Sequence, residues 1–187
     1  MQTILDLFRE QPSFFYLSVF IIGLAVGSFL NVVITRLPVI MEREWKKQCR
    51  EFLDLEAESD AREEPLTLSR PASRCPHCGH RISVLENIPV ISYLLLRGRC
   101  RECGTRISPQ YPLVELAAGI MSVVVAWHFG VSWETFFALL LTWALIALSV
   151  IDLRTTLLPD DITLPFVWLG VLLAIPALFT DLQASVI

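Results

Sequence analysis

Four of the five cysteines form two matched pairs whose spacing suits a metal ion. Cys75-Pro-His-Cys78 and Cys100-Arg-Glu-Cys103 are both C-x₂-C motifs, and 21 residues separate them. Two such pairs at this separation are typical of zinc ribbons, in which four thiolates hold one tetrahedral ion. A glycine follows each pair, at Gly79 and Gly104, where the backbone must bend around the sulfur atoms. The sequence therefore predicts one zinc ion bound by Cys75, Cys78, Cys100 and Cys103.

A closed site of four thiolates has a structural role, because no coordination position stays open for water or substrate. Two disulfides are the alternative interpretation, but the charge distribution favours a cytoplasmic loop, and a reducing compartment disfavours them. A redox C-x₂-C is also less favoured, since one pair would suffice for that chemistry. His77 and His80 could each replace a cysteine as ligand, yet four thiolates already fill the site, and Cys49 is predicted to be an unpaired thiol.

Ionisable and polar residues at the ends of apolar segments are the other candidates for chemistry. Asp152 directly follows one apolar run, and Asp160 and Asp161 come shortly afterwards. A carboxylate in this position is often only an interfacial terminator, which is the plainer interpretation of these three residues. Glu115 suits the helix dipole if it lies in a first turn and needs a partner if it lies deeper. Asn31 is expected to form a hydrogen bond with a neighbouring helix rather than to act in catalysis.

The elements that carry these residues are predicted to be membrane helices. Hydrophobic residues make up 54% of the chain and the mean hydropathy is +0.58, more than the core of a soluble domain of this size needs. The first apolar run is too long for a signal peptide and lacks its basic start and cleavage site. Gly23 and Gly27, with Ser28, offer it a small-residue face for close helix contact. The predicted spans are 13–35, 113–129, 135–151 and, interrupted by Pro165 and Pro176, 162–179.

Basic residues are concentrated between the first two predicted spans. Of the 15 Lys and Arg residues, 13 lie between Arg36 and Arg106, and positive charge next to a span marks the cytoplasmic side. We therefore expect the loop to be cytoplasmic, and the N terminus and the turn at 130–134 to lie on the opposite face. The acidic stretch 51–64 is expected to be a solvated connector without chemistry.

The predicted fold class is an all-α polytopic membrane protein with a small cytoplasmic Cys₄ zinc-ribbon insertion between the first two transmembrane helices. Its parts are an N-terminal tail with the first helix, a loop that contains the ribbon at 75–103, and a membrane region with the remaining helices. Their predicted bounds are 1–35, 36–111 and 112–187.

Ordered motifs along nearly the whole chain resemble those of the bacterial type IV prepilin peptidases. Each motif alone is weak, but their order and their register with the predicted spans are specific. They are Gly27-Ser-Phe-Leu-Asn-Val-Val-Ile-Thr-Arg-Leu-Pro38, Asn87-Ile-Pro-Val-Ile-Ser-Tyr93, Arg97-Gly-Arg-Cys100, Tyr111-Pro-Leu-Val-Glu115 and Ile151-Asp-x₅-Leu-Pro-Asp160.

The resemblance implies a bifunctional enzyme of the bacterial inner membrane with an N terminus in the periplasm. Such an enzyme removes the leader of type IV prepilins and type II secretion pseudopilins, and then methylates the new N terminus with S-adenosylmethionine. Its cleavage chemistry uses two aspartates, and Asp152 falls on the first of the two positions, with Asp160 as a supporting acid. The second lies in a G-x-G-D motif that these 187 residues lack. We therefore expect an inactive fragment that holds only the N-terminal part of the peptidase region. Asp161 as a replacement for the second catalytic aspartate is a poorer explanation, because it adjoins Asp160.

Two other functional classes stay open from the sequence. One is a membrane scaffold of a secretion or pilus machine whose ribbon binds a partner, and a full-length gene without G-x-G-D would favour it. The other is a tethered nucleic-acid-binding ribbon, which we do not expect because only Tyr93 stands between the two cysteine pairs as a base-stacking aromatic. The bilayer is the expected environment, and formation of a homo-oligomer is left open.

Overall fold

Helices form almost all of the regular structure in this computed structural model, which describes residues 2–53, 66–83, 85–176 and 178–179. The predicted all-α class is confirmed. Most of the acidic stretch 51–64 lies outside the described residues. The elements are α1 (Gln2–Glu10), α2 (Pro12–Phe52), a 3₁₀ turn (Leu85–Asn87), α3 (Ile91–Leu95), α4 (Gln110–Phe129), α5 (Trp133–Thr155) and α6 (Asp160–Ala174).

The first long helix, α2, extends well past the apolar run that predicts it. It has 41 residues, or about 60 Å at 1.5 Å per residue. Pro12 occupies its first turn, where the missing N–H costs nothing. From Glu42 onward the helix is mainly polar, and pairs of opposite charge four residues apart support it, such as Lys46 with Glu42 at 2.7 Å. The first part of the predicted loop is therefore a continuation of the membrane helix.

Three of the described helices, α2, α4 and α5, are long and apolar enough to cross a membrane. Their outer surface is apolar: Trp127 and Trp133, at the end where α4 turns into α5, are each 73% exposed, as expected of aromatic residues at a membrane interface. The helix α6 has only 15 residues, fewer than a span needs. It ends two residues before Pro176, so the described part of the predicted run 162–179 forms a shorter helix.

Two small residues let α2 and α4 approach closely. A Cβ atom added to Gly23 would lie 2.6 Å from Ser122 Oγ, and one added to Gly27 would lie 2.7 Å from Glu115 Cα. The small-residue face predicted from the sequence is therefore the contact surface between these helices. Trp143 of α5 donates a hydrogen bond from Nε1 to Ser122 Oγ at 2.9 Å, which joins the third span to the same contact.

Gly27→Ala is expected to destabilise the helix bundle by about 1–3 kcal/mol, because the new methyl group would displace the backbone of α4. Gly170→Ala is the matched control, since a Cβ atom there meets nothing within 4 Å. Thermal unfolding of the two variants in the same detergent measures the difference. Equal stability of the two variants would show that the close contact does not hold the helices together.

Two buried apolar clusters mark the two ends of the bundle. One contains Phe15, Val19, Ala126 and Leu139, near the turn between α4 and α5. The other contains Leu30, Ile34, Val114, Ala147 and Ile151, where α2 leaves the apolar region, α4 begins and α5 ends. The second cluster lies at the end from which the cysteine-containing loop projects. Asp152, directly after Ile151, therefore lies at the same end as the loop.

Candidate functional site

The two cysteine pairs lie in turns of the same geometry. The backbone N–H of Cys75 donates to His80 O at 2.8 Å, and the carbonyl of Cys75 accepts the N–H of Gly79 at 2.9 Å. In the second turn, the N–H of Cys100 donates to Thr105 O at 2.8 Å, and the carbonyl of Cys100 accepts the N–H of Gly104 at 3.0 Å. The isolated β-bridges Arg74–Arg81 and Arg99–Arg106 close the two turns. Gly79 and Gly104 have φ values of +74° and +70°, a conformation that glycine adopts without a steric penalty.

The four thiols converge on one point and could hold a metal ion. Their sulfur atoms all lie within 4.8 Å of one another. The Sγ atoms of Cys75 and Cys103 are 3.8 Å apart, and those of Cys78 and Cys100 are 3.9 Å apart. Sulfur atoms about 2.3 Å from a tetrahedral zinc ion lie about 3.8 Å from each other. The four residues therefore fit a Cys₄ site, and all five cysteines, Cys49 included, are free of disulfides.

The surroundings lower the pKa of two of the thiols, Cys75 and Cys103, and so favour the thiolate form that a metal requires, whereas burial and the neighbouring thiols raise the pKa of Cys78 to about 12. The hydroxyl and backbone groups of Thr105 lower the pKa of Cys103 to about 6, and Thr105 Oγ1 lies 3.2 Å from its sulfur. His77 and His80 are not part of the group of four residues that could hold the metal. The Nε2 atom of His80 instead lies 3.3 Å from Oε2 of Glu86.

Glu86 links the two halves of the ribbon. Its carboxylate accepts a hydrogen bond from the backbone N–H of Ser83 at 2.8 Å, and this contact lowers the pKa of Glu86 to about 2. The charged group lies close to His80 in the first half and 3.7 Å from Arg101 in the second. This connection between the two cysteine pairs has no counterpart in the sequence motifs.

A cavity of about 510 Å³ lies between α2, the ribbon and the start of α4. Residues from several of the motifs quoted above line it together, although they are far apart in the sequence. Among them are Asn31 and Arg36 of α2, Tyr93 of the ribbon, and Tyr111 and Glu115 of α4. The folding of the chain therefore brings these motifs to one place.

Polar contacts at the cavity hold the ribbon onto the membrane helices. Asn31 Nδ2 donates to Tyr111 O at 3.0 Å and to Gly27 O at 3.3 Å, so the predicted hydrogen bond to a neighbouring helix is present. Glu115 Oε2 accepts the backbone N–H of Val90 at 2.8 Å. Val90 has a φ of +60°, which a β-branched residue rarely adopts, and the hydrogen bond to Glu115 holds its amide in place.

Arg36 fixes the segment that leads into the ribbon. Its guanidinium donates to three backbone carbonyls, those of Thr67, Leu68 and Pro71, at 2.9, 3.3 and 2.7 Å. Arginine suits this task because its donors point in several fixed directions within one plane. A residue that the sequence marks only as a topology determinant thus also positions the loop.

The three aspartates near the third span are exposed to solvent. Asp152 lies in the last turn of α5, and its carbonyl accepts the N–H of Thr156 at 2.8 Å. Asp160 and Asp161 form the first turn of α6, where their charge suits the helix dipole. Within the described residues, no hydrogen bond or ion pair joins Asp152 to either of them.

Comparison with known families adds independent information. The model of the bacterial peptidase A24 N-terminal domain matches residues 21–129, which is more than half of the chain, and the model of the type IV leader peptidase family matches residues 139–187. The chain belongs to the family of the bacterial peptidase A24 N-terminal domain. The resemblance seen in the sequence motifs is thereby confirmed.

Several relatives within this family are named prepilin leader peptidase/N-methyltransferase. The relative from Stutzerimonas stutzeri is 51% identical over 97% of this chain and 62% of its own length. Those from Pseudomonas aeruginosa and Aeromonas hydrophila are 49% and 48% identical, over 61% and 64% of their lengths. The chain therefore spans a little over three fifths of the leader peptidases it matches. A search of solved structures found no match.

The sequence motifs indicate the cysteines and Asn31 but not the other contacts of this site. The sequence predicts that Glu115 needs a partner if it lies beyond a first turn, but it gives no signal for the partner found, the backbone N–H of Val90. Glu86 and Arg36 were also missed as positioning residues. The only sequence signal for these two residues is that Arg36 lies within the motif Gly27 to Pro38 and that Glu86 directly precedes the motif Asn87 to Tyr93.

Proposed function

We propose that the full-length protein is a membrane aspartic endopeptidase that removes the leader of type IV prepilins and type II secretion pseudopilins and then N-methylates the new N terminus. The match to the leader peptidase family over both halves of the chain carries this proposal. The names of the relatives support both activities. The methyl donor in this proposal is S-adenosylmethionine.

In the proposed mechanism, Asp152 is one of two catalytic acids. Two carboxylates share a proton, so that the neutral group acts as an acid while the charged group activates water for attack on the scissile carbonyl. The exposed position of Asp152, at the end of α5 nearest the ribbon, suits a bond that reaches the membrane surface from the same side. Asp160 is assigned a supporting role, and the second catalytic acid would come from a G-x-G-D motif, which the sequence given does not include.

We further propose that the metal is zinc and that its role is structural. Four thiolates at tetrahedral spacing leave no open position on the ion. The zinc ion would hold the two turns of the ribbon together and thereby fix the ribbon residues that line the cavity. No step of cleavage or methylation passes through it.

The proposed orientation in the inner membrane places the ribbon in the cytoplasm and the N terminus and the turn at 130–134 in the periplasm. Cys49, exposed on the polar part of α2, should react with an impermeant maleimide only after the inner membrane is opened. A cysteine placed at the exposed Trp133, in a Cys49→Ser background, should react in cells whose outer membrane alone is permeable. The reverse pattern would contradict the orientation and the cytoplasmic placement of Asp152.

Expression of the full-length gene in a bacterium that lacks its own prepilin peptidase tests the proposed activity. Pilin should change from the leader-bearing form to the shorter form on an immunoblot, and an empty vector should leave it unprocessed. Persistence of the leader, with the protein present in the membrane and bound to zinc, would favour a scaffold in a secretion or pilus machine.

A further inference from the structure

Glu115 is a buried carboxylate without a cationic partner. Glu115 is 7% exposed, and it lines the cavity between α2, the ribbon and α4. One carboxylate oxygen accepts the N–H of Val90, but no Lys, Arg or His of the described residues forms an ion pair with it. A buried charge is costly unless it is paired. A cation that entered this cavity would therefore gain from the carboxylate.

Asn31, which also lines the cavity, supplies a buried acceptor that has no donor. The residue is 3% exposed, and its amide nitrogen is committed to the carbonyls of Gly27 and Tyr111. Those contacts fix the orientation of the amide, so that Oδ1 is the acceptor, and this atom has no hydrogen-bond partner among the described residues. Buried acceptors usually have a donor, and an N–H of a ligand would be one.

The ribbon contributes arginines to the lining of the cavity, together with the carboxylate of Glu86. Arg74 and Arg106 of the ribbon line the cavity, whereas Arg36 is occupied by three backbone carbonyls. Tyr93 and Tyr111 also line the cavity, and aromatic rings attract cations through their faces. A volume of about 510 Å³ is in the range of small-molecule sites. The lining suits a ligand that carries a positive centre together with a negative group.

We propose that this cavity binds an organic cation at Glu115 and Asn31, namely the sulfonium of S-adenosylmethionine or the N-terminal ammonium of a cleaved pilin. The choice of these two ligands rests on the proposed N-methylation. Both carry a positive centre, and S-adenosylmethionine also has a carboxylate that the ribbon arginines could bind. The reaction needs both, and the experiment determines which of them Glu115 recognises.

The test compares each cation with a neutral analogue, using the full-length protein in lipid nanodiscs. One pair is S-adenosylmethionine and S-adenosylhomocysteine, which lacks the methyl group and the charge on sulfur. The other is a peptide of the mature pilin N terminus with a free amine and the same peptide acetylated. In the wild-type protein, the charged member of at least one pair should bind more tightly. Glu115→Gln should reduce that preference roughly tenfold, since a partly buried charge pair contributes this much or more, while binding of the neutral member changes little.

Glu134→Gln is the matched control, because Glu134 lies in the first turn of α5, at the other end of the bundle. It should leave both preferences unchanged. Zinc content and thermal unfolding report whether Glu115→Gln has folded. If this variant does not fold, photo-crosslinking of the wild-type protein replaces it, and a photoreactive S-adenosylmethionine or pilin peptide should label the segments around Asn31, Tyr93 or Tyr111.

The inference is wrong if the wild-type protein shows no preference for either cation, if the folded Glu115→Gln variant keeps both preferences, or if crosslinks form only outside the cavity. Methylation of the peptide by the wild-type protein is measured in parallel. If the protein methylates the peptide but its preference for the charged ligands does not depend on Glu115, the inference about the cavity is wrong and the proposed function stands. A preference that depends on Glu115, in a protein that neither cleaves nor methylates pilin, would refute the proposed function alone.

Discussion

Asp152→Asn in the full-length protein should reduce leader cleavage by roughly 10²- to 10⁴-fold, the range that one acid or base contributes. The amide has nearly the same shape as the carboxylate but can neither share a proton with a second acid nor activate water. The side chain is exposed at the end of α5, so the substitution should leave the fold and the bound zinc unchanged. Cleavage rates on a purified prepilin, followed by gel or mass spectrometry, measure the effect.

Asp161→Asn is the matched control for this variant, because Asp161 is also exposed and lies in the next helix. It should cleave at close to the wild-type rate, and Asp160→Asn should show an intermediate loss. Methylation of an already cleaved pilin should largely survive in Asp152→Asn if that activity has its own site. Normal cleavage by Asp152→Asn would leave Asp152 as an interfacial terminator and remove the first catalytic residue from the proposed mechanism.

Cys100→Ser should release the metal and unfold the ribbon. Zinc bound by four thiolates contributes on the order of 10–16 kcal/mol of apparent binding free energy, most of which is folding free energy of a small metal-bound unit. Between α2 and α4, the described residues form only one 3₁₀ turn, the short helix α3 and two isolated bridges. Removal of one ligand should therefore make the segment between α2 and α4 sensitive to protease. Elemental analysis of the purified chain should find about one zinc per molecule in the wild-type protein and much less in the variant.

Cys49→Ser serves as the control for Cys100→Ser, because Cys49 lies outside the cluster of four thiols. It should keep the full zinc content and the protease resistance of the wild-type protein. A wild-type ribbon that remains folded after complete removal of the metal by a chelator would contradict a structural role for zinc.

The parts of the fold that the sequence predicts are those that depend on local patterns. Continuous apolar runs identify α2, α4 and α5 because a hydrocarbon environment leaves few other structures for them. Two C-x₂-C motifs with a following glycine identify the ribbon, since the geometry of a thiolate site restricts the backbone. Gly23 and Gly27 identify the contact of α2 with α4, because only small residues permit so close an approach.

The parts that the sequence does not predict depend on polar helices and on contacts between distant residues. Beyond Arg36, helix α2 lacks an apolar run, so its continuation to Phe52 is visible only through charge pairs such as Lys46 with Glu42. The hydrogen bond from Asn31 to Tyr111 joins residues 80 positions apart. The cavity depends on this contact and on the one from Val90 to Glu115, so its existence and its unpaired carboxylate could be recognised only after the helices were placed together.

Mass spectrometry of a pilin N terminus tests the proposed activity most directly. The full-length protein in nanodiscs is incubated with a purified prepilin and S-adenosylmethionine, and the N-terminal peptide is then sequenced. The proposed function predicts that the leader is removed at a single bond and that the new N-terminal amine carries a methyl group. An intact prepilin, recovered after incubation with a folded and zinc-loaded protein, would contradict it.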